Sequence, residues 1–237
     1  MIRIGFMYPE LMDLYGDKGN VTVLRRRLEW RDIEVEVKEV HPNDSSLLKD
    51  CDLLMLGGGM DRDQVIVARD LEKREKDLSE AIDAGTVILA ICGSYQLLGH
   101  YFQPLEGERI EGIGILDIHT VAGKKRLVGN AAILSPFGTL VGYENHSGRT
   151  YLGKKASPLG KVLTGYGNNG EDSFEGAFSE NIFATYLHGP LLSKNPVFAD
   201  HLLSLALKRH GEISFPSLDD RIELQANRTM EERLIGK

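Results

Sequence analysis

The strongest constraint on the fold of this chain is an alternation of two hydrophobic periodicities over about its first ninety residues. Short apolar runs at 2–8, 52–56 and 86–91 have the continuous hydrophobicity of strands that are buried on both faces. Between them, apolar residues recur every three or four positions, as they do on amphipathic helices. The segment 33–40 alternates apolar and charged residues, which is typical of a half-buried edge strand. Strands and helices in this order predict an α/β fold with a mostly parallel sheet.

The later part of the chain contains short β-rich segments separated by glycine and asparagine. We expect them to pair in antiparallel fashion, as a continuation of the parallel sheet or an insertion into it. They lie at 115–121, 127–134, 140–143, 161–165 and 181–186. A helix is predicted after Pro196, and a last helix is predicted to begin at a Ser-x-x-Asp cap formed by Ser217 and Asp220. Its narrow apolar stripe would dock on a partner or pack on its own domain, and comprises Leu218, Ile222, Ala226, Met230 and Leu234.

Composition excludes several classes of protein. The 237 residues include 28 Lys and Arg against 35 Asp and Glu, a formal net charge of −7, so we expect no nucleic-acid partner. The basic triplet 25–27 falls mostly off the apolar stripe of its helix and is expected to face solvent. No apolar stretch is long enough for a transmembrane segment and the start does not resemble an export signal, so we expect a cytoplasmic protein.

Cofactor and metal motifs are absent from the sequence. The two cysteines form neither a disulfide framework nor a zinc motif, and the histidines lack metal-ligand spacing. No phosphate loop of the form G-x-x-x-x-G-K-[ST] occurs, so this chain alone is not expected to bind ATP. We therefore expect neither a metal nor a cofactor.

Two loops at predicted strand ends carry candidate chemistry, because the crevice of an open parallel sheet lies outside the carboxyl ends of its strands. The glycines at 57–59 follow one strand, where backbone N–H groups can approach a ligand closely. Cys92 follows another strand at a sharp turn into a helix, the geometry that exposes a nucleophile in α/β hydrolases. Free cysteines are often inert core residues, so spacing alone leaves both interpretations open for Cys92. Cys51 has no such turn after it and is expected to pack in the core.

A cysteine nucleophile requires a base within hydrogen-bond distance. His188 follows the apolar run 182–187 and precedes a Gly-Pro turn, and His146 also lies at a predicted strand end. Spacing favours His188 only weakly over His146. We interpret the other five histidines as surface or hydrogen-bonded structural residues.

Several motifs together resemble a known family, and they extend over nearly the whole chain. The runs LGGG at 56–59, ICGSYQ at 91–96 and YLHGP at 186–190 resemble a class I glutamine amidotransferase of the cobyric-acid-synthase-like branch. Within that branch, further motifs resemble the glutaminase subunits of lipid II isoglutaminyl synthases. These motifs are LYGDKGN at 14–20, GMDR at 59–62, ENH at 144–146, GRTY at 148–151 and GYGNN at 165–169.

The resemblance implies a fold, an activity and a partner. The fold would be a three-layer, flavodoxin-like, mostly parallel sheet flanked by helices, with an antiparallel extension. A glutamine amidotransferase domain would span 1–210, and 211–237 would form a helical extension, for which partner docking and packing on its own domain are the two alternatives. The chain would hydrolyse L-glutamine through a cysteine thioester and pass ammonia to a Mur-ligase-like, ATP-dependent synthetase subunit in a heterodimer. That subunit would amidate the D-glutamate of the lipid II stem peptide to D-isoglutamine during peptidoglycan synthesis.

The resemblance also assigns the site residues. Cys92 corresponds to the nucleophile, His188 to the base, and Arg126 lies where the family binds the substrate glutamine. Backbone N–H groups would hold the oxyanion, and the candidates are Gly58, Gly59 and Gly93.

Two positions depart from the general pattern of the family. Pro190 stands where an acid usually follows the histidine, so the third member of a catalytic triad is missing from its usual place. Asp17 is a candidate for orienting His188, and the alternative is that Asp17 only caps the following helix. Ser94 replaces the glycine that commonly lies two residues after the cysteine.

Three other functions remain as alternatives. The chain could be the glutaminase of another amidotransferase, such as a cobyric-acid synthase. It could be a stand-alone cysteine hydrolase of the peptidase or deglycase kind, which would be indifferent to glutamine. It could also be a non-catalytic scaffold that stabilises a ligase partner.

Overall fold

A computed structural model describes residues 1–45, 48–211 and 214–236. In chain order, its first elements are β1 (Ile2–Met7), α1 (Lys18–Glu29), β2 (Val35–Val40), β3 (Leu53–Leu56), α2 (Asp61–Lys73), α3 (Glu75–Asp83), β4 (Val87–Ile91), α4 (Gly93–Leu97), β5 (Tyr101–Gln103) and β6 (Ile110–Glu111). The remaining elements are β7 (Ile118–Ser135), β8 (Gly138–Leu152), β9 (Gly160–Thr164), β10 (Phe174–Glu175), β11 (Ala177–Ser179), β12 (Ile182–Thr185), α5 (Pro196–Lys208) and α6 (Arg221–Ile235).

The first sheet has the order β11-β12-β4-β3-β1-β2. Every neighbouring pair in it is parallel except β11 with β12, and β2 lies at an edge, so the prediction of a mostly parallel sheet with an edge strand over 33–40 is confirmed. The antiparallel prediction for 181–186 is right on one side of the strand and wrong on the other. β12 pairs antiparallel with β11 but parallel with β4, with Thr185 opposite Ile91. The carboxyl ends of these two strands therefore lie side by side.

Most of the β-rich part forms a second sheet of its own, whereas β11 and β12 continue the first sheet. Its order is β10-β9-β7-β5-β6, with β8 paired to β7. The predicted segments 115–121 and 127–134 contribute to one long strand, β7, which is irregular between Ala122 and Leu127. β7 and β8 form an extended antiparallel hairpin, as the texture of the sequence predicts. Helix α4 contacts β4 of the first sheet and β5 and β7 of the second, and so connects the two.

Two helices cover part of the parallel sheet and are joined by buried ion pairs. α1 contacts β1 and β2, α5 contacts β3 and β4, and the two helices contact each other. The prediction that the triplet 25–27 faces solvent is wrong for Arg27, whose side chain is only 2% exposed. Arg27 bonds Asp200 of α5 at 2.6 Å and both carboxylate oxygens of Asp220 at 2.6 and 2.8 Å. Burial is tolerated because the guanidinium is fully paired.

The last helix differs from the prediction at its start. It begins at Arg221, and the Asp220 carboxylate makes no capping hydrogen bond because it pairs with Arg27. The helix packs on its own chain: Asn227 Nδ2 donates to the carbonyl oxygen of Thr139, and Glu231 accepts from the hydroxyl of the same Thr139. Ile222 of the predicted stripe stays 79% exposed. Residues 212, 213 and 237 of the predicted extension lie outside the described residues.

None of the helices in the described ranges is long and apolar enough to span a membrane.

Candidate active site

Cys92 lies at the turn between β4 and α4, where the sequence predicts it. Its backbone has φ 53° and ψ −105°, a left-handed conformation that a non-glycine residue rarely adopts. Strained backbone of this kind is concentrated at functional sites. The Cys92 N–H donates to the carbonyl oxygen of Thr185 at the end of β12, which fixes the turn against the neighbouring strand. Cys92 is 8% exposed, and Cys51 is 2% exposed and packs in the core as expected.

The glycine loop at 57–59 passes directly over Cys92. A Cβ atom on Gly58 would lie 3.1 Å from Cys92 Cβ and 3.1 Å from His188 Cε1, so a side chain there would crowd both residues. The Ser94 hydroxyl donates to the carbonyl oxygen of Gly57 at 2.6 Å. The residue that departs from the family pattern therefore ties the loop to the cysteine turn.

The structure narrows the candidates for the oxyanion donors. Gly58 N–H donates to Asp17 Oδ2 at 2.9 Å, so it is already engaged. Gly59 N lies 3.2 Å from the position that a Cβ on Gly93 would occupy, which brings these two backbones together beside Cys92. Gly59 and Gly93 remain as the pair of candidate donors.

His188 lies just beyond the end of β12 and is only 1% exposed. Its backbone forms an antiparallel bridge with Tyr143 of β8, and the Tyr15 ring contacts the imidazole with 4.6 Å between centroids. The parallel pairing of β12 with β4 brings His188 to Cys92. The two groups that the sequence singles out at strand ends are therefore neighbours in the fold.

Asp17 lies in direct contact with the His188 ring. Its carboxylate is fully buried, Oδ1 lies 3.1 Å from His188 Nδ1, and Oδ2 accepts the hydrogen bond of Gly58. Asp17 occupies the N-cap position of α1 but its side chain makes no capping hydrogen bond, so the capping alternative does not describe it. Because Nδ1 is engaged, Nε2 is the nitrogen left to interact with the Cys92 sulfur.

The surroundings of His188 favour its charged form. Burial lowers the pKa of His188, but the hydrogen bond with Asp17 and the nearby Cys92 outweigh burial and raise this pKa to about 10. Nε2 is buried and has no hydrogen-bond partner among the described residues, so it is the ring nitrogen available to another group in the site. An imidazole held between a carboxylate and a cysteine is an arrangement suited to nucleophilic catalysis by cysteine.

A cleft of about 500 Å³ opens beside Cys92. Its wall includes Arg126 and Asn145, neighbours across the β7–β8 hairpin. Arg126 Nε donates to Asn145 Oδ1 and one terminal nitrogen donates to the carbonyl oxygen of Asn145, both at 2.8 Å. The guanidinium is therefore held in place at the wall of the same cleft that contains the cysteine.

His146, the alternative base, also lines this cleft but lacks the partners of His188. Its Nδ1 lies 2.8 Å from the carbonyl oxygen of Gly148, and its ring stacks on Tyr186 with 3.6 Å between centroids. Burial lowers the pKa of His146, despite the opposing influence of Glu144. The structure thus favours His188 as the base.

Sequence reasoning missed several polar residues of the cleft. Gln64 and Gln96 are each 3% exposed and line it, and Gln96 Nε2 donates to the Tyr186 hydroxyl. A signal was available for Gln96, which lies one helical turn after Cys92. Within the described residues, no group of three potential ligands could hold a metal ion.

The chain is similar to known glutamine amidotransferases. The family model of the CobB/CobQ-like glutamine amidotransferase domain matches residues 3–196. Lipid II isoglutaminyl synthase (glutamine-hydrolyzing) subunit GatD of Staphylococcus aureus strain N315 is 42% identical over 98% of this chain and 96% of its own length. The protein of the same name from Streptococcus pneumoniae strain R6 is 38% identical over 92% of this chain and 86% of its own length.

Among solved structures, PurLQS from Thermotoga maritima superposes with a TM-score of 0.62, covering 87% of this chain and 98% of that chain. At 17% identity this similarity shows the fold alone. The match of the family model and the identity to the two relatives confirm the resemblance found in the motifs. The chain belongs to the family of CobB/CobQ-like glutamine amidotransferases.

Proposed function

We propose that this chain is the glutamine-hydrolysing subunit of a lipid II isoglutaminyl synthase. It releases ammonia from L-glutamine for a Mur-ligase-like, ATP-dependent subunit that amidates D-glutamate of the lipid II stem peptide to D-isoglutamine. The observation that carries the proposal is the arrangement of Cys92, His188 and Asp17 beside the cleft that Arg126 lines. The near full-length similarity to the two GatD relatives supports it.

The reaction follows from the positions of these groups. The Cys92 thiolate attacks the carboxamide carbon of glutamine and forms a carbon–sulfur bond. Protonated His188 then gives its proton to the departing nitrogen, the carbon–nitrogen bond breaks, and ammonia leaves a γ-glutamyl thioester. Neutral His188 next takes a proton from water, whose oxygen attacks the thioester. Glutamate leaves and the thiolate and imidazolium are restored.

Charge that develops on the carbonyl oxygen must be stabilised. The N–H groups of Gly59 and Gly93 are the candidate donors, since Gly58 N–H is engaged by Asp17. A backbone donor of this kind contributes about a hundredfold to a thousandfold to turnover. The Gly58 bond in turn fixes the loop that presents Gly59.

Arg126 binds the α-carboxylate of glutamine in this proposal. A guanidinium matches the planar carboxylate and forms charge-assisted hydrogen bonds with it. Asn145 already holds Nε and one terminal nitrogen, so the side chain loses little freedom when the substrate arrives. The carboxamide end of the substrate would then reach Cys92 across the cleft.

The division of labour between two subunits fits the sequence, which has no phosphate loop for ATP. The amidotransferase domain spans 1–210 in this proposal, and the extension 211–237 contributes to binding of the synthetase subunit in a cytoplasmic heterodimer. Ile222, at 79% exposed, is the most exposed of the large apolar side chains on α6 in the described part of the chain. The other face of α6 is occupied by contacts with Thr139 and Asn195.

The proposal is tested by co-purifying the chain with its synthetase subunit and assaying ammonia release and amidation of lipid II. Cys92→Ala and Cys92→Ser are expected to abolish glutamine hydrolysis while the chain stays folded. The glutamine-like electrophile 6-diazo-5-oxonorleucine should label the wild-type chain at Cys92 and leave both variants unlabelled. A non-catalytic scaffold would not be labelled, and a peptidase or deglycase would act without preference for glutamine.

A further inference from the structure

Three side chains in the wall of the cleft carry a buried polar atom that meets no hydrogen-bond partner among the described residues. These atoms are Gln64 Oε1, Gln96 Oε1 and His146 Nε2. Buried polar atoms in folded proteins are almost always hydrogen-bonded. When such an atom lies at a substrate cleft, the missing partner is expected to arrive with the substrate. His146 is the residue for which the chemistry of that partner can be specified.

The unpaired nitrogen of His146 is an acceptor. Nδ1 lies 2.8 Å from the carbonyl oxygen of Gly148, which can only accept, so Nδ1 carries the hydrogen. Burial lowers the pKa of His146 and so favours the neutral ring. Nε2 then presents a lone pair, and stacking on Tyr186 holds the ring plane fixed. The group that Nε2 awaits must be a hydrogen-bond donor.

The position of His146 identifies the donor group of glutamine that its Nε2 awaits. His146 lies opposite Leu127 in the β7–β8 hairpin, next to Arg126 and directly after Asn145, which holds Arg126. The α-carboxylate and the α-ammonium group of glutamine are bonded to one carbon atom, so the groups that bind them must be neighbours. Glu144 Oε2 lies 3.9 Å from His146 Nε2 and adds negative charge that favours a cation.

We propose that His146 Nε2 accepts a hydrogen bond from the α-ammonium group of the substrate. His146 thereby makes the cleft specific for an α-amino acid amide, and it takes no part in proton transfer. This inference rests on the proposed glutaminase function and deepens it. His188 acts on the carboxamide end of glutamine, and His146 recognises the amino-acid end.

The test compares L-glutamine with glutaramate, which is glutamine without the α-amino group. The Michaelis constant for glutamine and the inhibition constant of glutaramate as a competitor are measured on the full chain, alone and with the synthetase subunit. His146→Ala should raise KM for glutamine about ten- to hundredfold, as expected for loss of a hydrogen bond to a charged group. It should leave kcat and the glutaramate inhibition constant nearly unchanged.

Two further variants separate recognition from structure. His146→Gln, whose side-chain carbonyl can also accept, should restore part of the affinity for glutamine. His119→Ala is the matched control, because His119 stacks on Tyr151 in the same hairpin but does not line the cleft. His119→Ala should leave KM for glutamine and the glutaramate inhibition constant at their wild-type values.

The outcomes distinguish this inference from the proposed function. If His146→Ala weakens the binding of glutamine and of glutaramate equally, or weakens neither, His146 does not bind the α-ammonium group. If the His146 variants lower kcat with unchanged KM, the residue acts in the chemical steps instead. If the wild-type chain hydrolyses no glutamine, either alone or with the synthetase subunit, the proposed function itself fails.

Discussion

The two sheets contribute to the cleft in different ways. The parallel sheet supplies Cys92, His188 and the glycine loop from adjacent strand ends, and Asp17 joins them by pairing with His188 Nδ1 and with Gly58 N–H. The antiparallel hairpin supplies Arg126 and His146 to the wall of the cleft. Nε2 is unpaired among the described residues in both His188 and His146, but His188 lies beside Cys92 and His146 beside Arg126. The contacts of Asp17 hold the His188 ring and the glycine loop before the substrate arrives, whereas the free nitrogen of His146 is suited to recognition of the substrate. Substitutions in the first sheet should therefore reduce kcat, and those in the hairpin should raise KM.

The largest effect that tests this contrast is expected for His188→Ala. Without the imidazole, the site loses the group that protonates the departing amide nitrogen and later activates water. General acid–base catalysis contributes about a hundredfold to ten-thousandfold, so kcat should fall by at least about that range. Steady-state ammonia release measures the fall in kcat, and circular dichroism shows whether the variant is folded. Retained turnover in His188→Ala together with its loss in His146→Ala would reverse the assignment of the two histidines.

Asp17→Asn should have the next largest effect. Burial lowers the pKa of His188, and hydrogen bonding with Asp17 is the strongest influence that raises it to about 10, so loss of the carboxylate must lower this pKa. The imidazolium that protonates the departing amide nitrogen would then lose its proton at a lower pH than in the wild-type chain. The alkaline limb of the kcat–pH profile should move to lower pH, and kcat at neutral pH should fall about a hundredfold.

The asparagine variant keeps an oxygen that can accept from Gly58 N–H, so the loop is preserved and the change isolates the charge. Glu10→Gln is a suitable control, because Glu10 is an exposed carboxylate beside His41 and away from the cleft. An unshifted pH profile in Asp17→Asn would show that Asp17 only shapes the loop.

How much of this site is predictable from sequence depends on the distance along the chain between partners. Cys92 and the glycine loop are evident because each lies within a few residues of a recognisable buried strand. The partnership of Asp17 with His188 joins residues 171 positions apart, and it requires the sheet to be assembled. The burial of Arg27 has the same cause, since its carboxylate partners lie 173 and 193 positions away.

Strand direction is the second feature that local sequence does not provide. The segment 181–186 has the short, glycine-flanked texture of the antiparallel segments before it, yet β12 pairs in parallel with β4. The apolar run 182–187 indicates a strand buried on both faces, but it does not fix the direction of pairing, since β12 is parallel to β4 and antiparallel to β11. Direction is set by the route of the chain between the strands. Pairing with β4 in the opposite direction would have put His188 at the other end of β4 from Cys92.

Arg126→Ala tests the hairpin side of the comparison. Loss of the guanidinium removes charge-assisted hydrogen bonds to the α-carboxylate and should raise KM for glutamine about tenfold to a hundredfold with little change in kcat. Arg126→Lys should recover part of the loss, because lysine keeps the charge without the planar fork. Equal losses in kcat and kcat/KM would place Arg126 in the transition state and remove the proposed difference between the sheets.

The smallest effects are expected at α6, where one side chain tests packing and another tests docking. Asn227 Nδ2 donates to the carbonyl oxygens of Thr139 and Lys194 and to Asn195 Oδ1, so Asn227→Ala should lower the free energy of unfolding by about 1–3 kcal/mol. Ile222→Ser alters an exposed side chain, and the free energy of unfolding should stay within about 0.5 kcal/mol. Urea unfolding measures both changes.

If the synthetase subunit covers Ile222, the Ile222→Ser variant should also weaken co-purification of the two subunits, while glutaminase turnover by the chain is preserved. Full retention of the complex by Ile222→Ser would place the docking surface elsewhere, and α6 would then serve only to brace the hairpin.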